Sequence, residues 1–404
     1  MQHQTDSSSL ALPRRVTRSR LLRFILTAVL IFSWPVTVQA CFWDYDTLKE
    51  ERRRFPTALE LITGKFARHS KEFYEWRIQD RLNKLQSDPT SLAWHNDLAV
   101  AYEKTGQHAK AIELMLEKEK RSPGEYETAS NLGTFYILAG DFESGLPYID
   151  KALAINPDAH FGREKYQKWL VEYALSKRTG KQLKFPLRTG SFKGQGMNFR
   201  HFLEEKSGQH WLSVEEIQAA VKGILGMLRF ANHENPLLLE ALGDLLSGDH
   251  DRMEDKDAKR LAARCYLKAS AVVQDEDSKQ AYLENACGAL LWQSRSPPES
   301  SDQLELSELQ ADFATELNEA DEWYATLKQK ELNWIREGRD VDAEFDRLMD
   351  PEMRQEEAAT SEPKSRLSFT IASSSALVIV IFSLIAIRKT RSHVSPHDSQ
   401  DHTI

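Results

Sequence analysis

Cysteine is nearly missing. The 404 residues contain three, Cys41, Cys265 and Cys287, too few and too scattered for a disulfide framework or a thiolate metal site. No CxxC pair and no CxxCH occurs. Glycine and proline are sparse, at 18 and 14 residues, while Ala, Leu, Glu and Lys dominate, which favours helices over a turn-rich β architecture. The net charge of -8 argues against general nucleic-acid binding, and no zinc-finger or basic-zipper pattern accompanies it. Catalytic signatures are missing too: there is no HExxH, no GxSxG and no nucleotide fingerprint. The histidines lack metal-ligand spacing, and Asp44, Asp46 and Glu50 are ordinary surface residues. The chain therefore reads as non-enzymatic, with no catalytic residue, metal or cofactor assigned.

What is present is a repeat. Residues 92–125 and 126–159 align as two rows in which Leu98 falls on Leu132, Ala99 on Gly133, Tyr102 on Tyr136, Gly106 on Gly140 and Pro123 on Pro157, a period of 34. Such a period marks stacked helical hairpins, each too small to bury its own apolar face. Small residues at Ala99 and Gly133 permit close helix approach, Tyr102 and Tyr136 fill the space beside them, and each Pro ends a helix. The two rows resemble the tetratricopeptide repeat family, with His95 and Ala129 in place of its early Trp and Gly145 in place of its second-helix Ala. The resemblance implies an all-α helical-hairpin solenoid whose function is interaction. Its groove would be lined by Asn96, Val100, Glu103, Ser130, Thr134 and Ile137. One subgroup of the family clamps an acidic C-terminus with Lys, Asn and Arg side chains. Only Asn131 matches that set here, so the groove reads as mixed and apolar, suited to an extended or helical peptide segment.

The two ends speak about the compartment. Arg14, Arg15, Arg18, Arg20 and Arg23 precede an apolar run that ends in Val38-Gln39-Ala40, the layout of a secretory signal peptide over 1–40. Cleavage after Ala40 would leave Cys41 first, a position open to lipidation. Near the other end, 367–387 is an uncharged run of 21 residues, long enough to cross a bilayer, followed at once by Arg388, Lys389 and Arg391. The positive-inside rule then puts 388–404 in the cytoplasm and the bulk of the chain outside. The expectation is a single-pass membrane protein with an exported body.

Between these ends the chain divides by composition. Residues 41–91 read as an N-terminal helical cap, with Phe73, Trp76, Ile78, Leu82 and Leu85 on one face and Asp88-Pro89 closing it. The aromatic cluster Phe42, Trp43 and Tyr45 reads either as part of a packed chain start or as a partner surface. Repeats occupy 92–175, a third first-helix carrying Tyr166, Trp169, Leu170 and Tyr173. Residues 176–210 then turn basic and Gly-rich. Read as a solvated linker, they are inert. Read functionally, Lys181, Lys184, Arg188 and Lys193 would contact an anionic polymer or lipid. A second helical region spans 211–295, opened by Ser213 three residues before Glu216 as a capping box. There Leu242-Gly243 takes the close-packing place opposite Ala262, Tyr266 and Ala269. Cys265 and Cys287 fall on neighbouring helices, as free thiols or as a disulfide.

From 302 to 350 a long amphipathic helix, straight or broken near Gly338, carries Leu306, Phe313, Ala320, Leu327, Trp334, Val341 and Leu348 every seven residues. A second seam is half filled, with Glu331 and Gly338 failing it. Packing on the last hairpin uses such a seam, and so does a two-stranded coiled coil, hence a homodimer. An acidic linker, 351–366, leads to the membrane run. The expected partners are a protein or peptide in the repeat groove and a membrane at 367–387, with no nucleic acid.

Overall fold

Small polar residues cap several of the described helices. The computed structural model describes residues 55–158, 162–180, 182–189, 198–247, 256–291 and 300–349. Helix α1, Ala58–Thr63, opens with a capping box in which Thr57 and Glu60 bond each other's backbone N–H, and it closes at Gly64 in the left-handed region, φ 91°. Ser70 and Ser91 cap α2, Lys71–Ser87, and α3, Leu92–Lys104. Then follow α4, His108–Arg121, α5, Tyr126–Leu138, and α6, Phe142–Ile155. Both α3 and α5 run 13 residues and both α4 and α6 run 14. The turns between them hold Gly106 and Gly140 at φ 79° and 81°. The 34-residue period of the sequence is thus a period of helices, with the same turn at the same place.

Close approach explains the glycines inside the hairpins. A Cβ on Gly133 would stand 2.4 Å from Ile149, and one on Gly145 would stand 2.7 Å from Ile137 and 2.9 Å from the Gly133 carbonyl oxygen. Tyr136 stacks on Tyr148 of α6 at 5.7 Å.

The remaining helices are α7, Arg163–Lys177, α8, Phe199–Ser207, α9, Val214–Phe230, α10, Pro236–Leu246, α11, Lys256–Val272, α12, Glu276–Leu291, and α13, Ser300–Arg336. The expected box at Ser213 and Glu216 opens α9. Asn235 caps α10, with Pro236 at its first position. A Cβ on Gly243 would meet the Tyr266 ring at 2.7 Å, the close-packing role read from the sequence. Helix α8 lies inside the stretch read as a basic loop. It buries Phe199, Phe202 and Leu203 against the core. Cys265 is buried and Cys287 partly buried, and no disulfide joins the two.

Helices from α2 to α7 pack each on the next, α7 passes to α9, and the succession continues through α10, α11, α12 and α13. The array then returns to its start. Helix α13 packs on α1 and α2 as well as on α11 and α12, while α1 packs on α9 and α11. Phe313, Ala320, Leu327 and Trp334 of the heptad seam are buried inside this chain, so that stretch of seam is not available to a second copy. The sequence read Glu331 as a gap in the second seam. It is 1% exposed and ties α13 to the start of α2, accepting from the Ser70 backbone N–H at 3.0 Å and from the Ser70 hydroxyl, with His69 Nδ1 at 2.6 Å.

The chain divides after Gly338, whose φ is 65°. In the second unit α14, Val341–Met349, is described, with Glu344 bonded by Arg339 and Arg347. The long helix expected over 302–350 is therefore broken at the glycine. Among the described residues all regular elements are helices, and none is long and apolar enough to cross a membrane. The signal-like 1–40 and the apolar 367–387 lie outside the described residues.

Candidate functional site

The six groove positions expected on α3 and α5 are all buried, from 0% exposed at Ser130, Thr134 and Ile137 to 6% at Asn96. They do not share one face. Glu103 turns toward its own second helix and meets His108 Nδ1 at 2.6 Å. Burial raises the Glu103 carboxyl while His108 opposes, and Glu103 in turn raises the imidazole. Ile137 likewise packs on Gly145 within its hairpin.

Asn96 also faces its own second helix, Val100 lies in a buried cluster with Ala111 and Met115 of α4 and Leu132 and Phe135 of α5, and Thr134 meets α7. Asn96 Oδ1 accepts from Lys118 Nζ at 2.8 Å, a lysine that is 2% exposed and lowered by burial. Thr134 accepts from Gln167 of α7 at 3.4 Å, and Tyr126 donates to Glu164. Phe230, at the end of α9, reaches both α3 and α7. Its carbonyl oxygen accepts from Lys104 of α3 at 2.7 Å, and its ring lies 4.7 Å beneath the Arg163 guanidinium of α7. Arg229 stands 5.2 Å over Phe55, the first described residue. Ala231 packs against the Val100 cluster. The surroundings are cationic. His233 is held well below its ordinary value by burial first and then by Arg68, Lys268 and Lys104.

Arg188, expected to face an anionic partner, is turned inward. Its guanidinium meets Asp244 at 3.2 Å and the Tyr266 hydroxyl at 3.0 Å, its side chain 7% exposed. Residues 182–189 form a strap over α10, α11 and α12. The backbone N–H groups of Leu187 and Arg188 donate to Glu240 at 2.9 and 2.7 Å, and the Ser278 hydroxyl donates to the Phe185 carbonyl. Phe185 and Leu187 are buried beneath it. Lys184 stays exposed, while Lys181 and Lys193 lie outside the described residues.

Glu240 and Asp244, one turn apart on α10, hold this strap. Both are fully buried. Glu240 also accepts from Tyr282 at 2.7 Å, and Asp244 accepts from Tyr266 at 2.8 Å and from the Phe199 backbone N–H at 3.0 Å. Three donors converge on each carboxylate and fasten the strap to α10. Burial and then the neighbouring Asp244 raise the Glu240 carboxyl to about 7, against the pull of its donors. The sequence did carry a signal for this pair. Two acids four apart interrupt the otherwise apolar run LLLEALGDLL, and charged residues are almost never fully buried without partners.

The fold is thus that of an all-α protein of packed helical hairpins, closed by a long returning helix within its first unit. No protein-family model matches this chain, and no curated protein matches it.

Proposed function

We propose that this chain is a non-enzymatic interaction scaffold of the tetratricopeptide type. Its exported body would hold a protein or peptide on the concave side of α3, α5 and α7, and residues 367–387 would anchor it to a membrane. The observation that supports this most is the exact recurrence of the α3–α4 hairpin as α5–α6, with matched lengths and matched left-handed turn glycines. Stacked repeats expose an extended face that binds chain segments.

The partner approaches over the rim. Ala93 on α3 is exposed and Glu127 on α5 is half-buried, each one helical turn before Asn96 and Ser130 and on the same side of its helix. The test is affinity purification from native membranes of wild type, of the pair Ala93→Arg with Glu127→Arg, and of the pair Glu113→Arg with Glu117→Arg on the second helix. A partner kept by wild type and by the second-helix pair, but lost by the rim pair, supports the reading. Equal recovery from all three contradicts it.

A further inference from the structure

We propose that the turn between α9 and α10, residues 231–235, forms with Arg68 and Lys268 a binding site for a phosphate group. The inference needs no protein partner and does not rest on the scaffold reading above.

Cations ring this turn. Lys104, at the end of α3, donates to the carbonyls that open it, Phe230 at 2.7 Å and Ala231 at 3.1 Å. Lys268 of α11 stands 3.7 Å from Glu234. Arg68, between α1 and α2, lies beside His233. A Cβ on Gly64 would stand 2.6 Å from His233 Nε2 and 3.6 Å from Arg68 Nη2, so the missing side chain brings both nitrogens to one point. The imidazole is placed by its edge-on contact with Phe66 at 5.5 Å, and the guanidinium by the Tyr324 ring of α13 at 3.6 Å.

The charge at this place is poorly compensated. Arg68 Nη1 donates to the Gly64 carbonyl and, at 3.3 Å, to the Phe66 carbonyl. The end of a helix offers only about half a negative charge. Among the described residues no carboxylate forms an ion pair with Arg68; Glu234 and Asp321 act on it from farther off. Lys268 meets Glu234 beyond hydrogen-bond distance, with its own side chain 10% exposed and that of Glu234 55% exposed. Cations withdrawn from water are costly unless an anion meets them.

The second observation is His233 itself. Its ring is partly buried, yet it carries no hydrogen bond among the described residues, where polar groups out of water ordinarily have partners. Burial, and then Arg68, Lys268 and Lys104, hold it well below its ordinary value. The neutral ring keeps one N–H to donate. An arginine, a lysine and an imidazole N–H therefore face the same turn, and Arg68, Lys104 and His233 remain partly open to solvent. A phosphate group carries between one and two negative charges near neutral pH and offers several acceptor oxygens, enough to meet all three donors at once.

The test titrates inorganic phosphate into the full-length protein in detergent, by calorimetry in a phosphate-free buffer. One site with a Kd below about 1 mM is expected. Lys268→Met is expected to weaken it by about tenfold or more, and Lys268→Arg to stay within about threefold. Lys120→Met, on the exposed side of α4, is expected to change nothing. Glu234→Gln is expected to tighten binding by about threefold or more, because the acid beside Lys268 is gone. A misfolded variant cannot produce that sign. The His233 imidazole signal in NMR, assigned by its loss in His233→Gln, gives a second readout. Bound phosphate offsets the surrounding cations and is expected to move its titration upward by about one pH unit or more. No binding up to about 10 mM overturns the proposal. Binding that Lys268→Met or Glu234→Gln leaves unchanged, or that leaves the His233 signal unmoved, overturns it too and marks an adventitious ion only. Repeating the titration with glycerol 3-phosphate separates the sources. Equal or tighter binding assigns the site to a phosphate group carried on a larger molecule, and binding of inorganic phosphate alone assigns it to the free ion.

Discussion

Replacing Glu240 by Ala removes the acceptor that fastens the strap. Three donors lose their partner at once: the Leu187 and Arg188 backbone N–H groups at 2.9 and 2.7 Å and the Tyr282 hydroxyl at 2.7 Å. A buried donor left unsatisfied costs about 1–3 kcal/mol, so the gross loss is about 3–9 kcal/mol. Two effects offset part of it. The variant no longer buries a carboxylate beside Asp244, and water enters the space left behind. A net loss of about 3–5 kcal/mol is expected, a large share of an ordinary domain's stability. Tyr282→Phe removes one donor and leaves Glu240 its two backbone bonds, so about 1 kcal/mol is expected there. Urea unfolding followed by tryptophan fluorescence gives the free energies. Hydrogen exchange of the Leu187 and Arg188 amides reports the strap directly, and both amides lose protection in Glu240→Ala. A loss below about 1 kcal/mol with both amides still protected would refute the reasoning.

Other consequences follow from the same geometry. Because burial and Asp244 raise Glu240 to about 7, folding favours its neutral form. Its contribution is present at low pH and falls as pH rises from the ordinary carboxylate range through that value, by about 3 kcal/mol. Unfolding free energies measured from about pH 5 to about pH 8 should therefore fall more steeply in wild type than in Glu240→Gln, and parallel slopes would contradict this. Gly243→Ala forces a methyl to within 2.7 Å of a Tyr266 ring that Asp244 and Arg188 hold in place, costing about 1–3 kcal/mol. Gly140→Ala meets no atom and pays for its left-handed φ of 81°, about 1 kcal/mol. Thermal denaturation ranks the two, and a larger loss at Gly140 reverses the argument. Glu331→Ala strips the Ser70 N–H and hydroxyl of their acceptor, costing about 2–4 kcal/mol. Faster amide exchange in the first turn of α2 is the sign to look for.

Much of the fold was legible because it is local. The 34-residue period, the capping box at Ser213 and Glu216, and the small residues Gly133 and Gly243 each act within a hairpin, and a hairpin is written in adjacent sequence. What escaped depends on chain closure. Glu331 looks like a flaw in the α13 seam until α13 lies across the start of α2, more than two hundred residues away in the chain. Arg188 looks like a free surface cation until Asp244 is brought beneath it. Charge in a Gly-rich stretch does not tell which way its side chains turn. Repeat position did not tell which way the expected groove residues turn: Asn96 and Glu103 bond Lys118 and His108 of their own second helix, while Thr134 meets Gln167 of α7.

The most direct test of the central claim is photo-crosslinking from the rim in native membranes, with the reactive side chain at Ala93 or Glu127 and, for comparison, at Glu117 on α4. The account predicts that one and the same protein is captured from both rim positions and not from Glu117. Capture from Glu117 alone, or of unrelated proteins from the two rim positions, would contradict it.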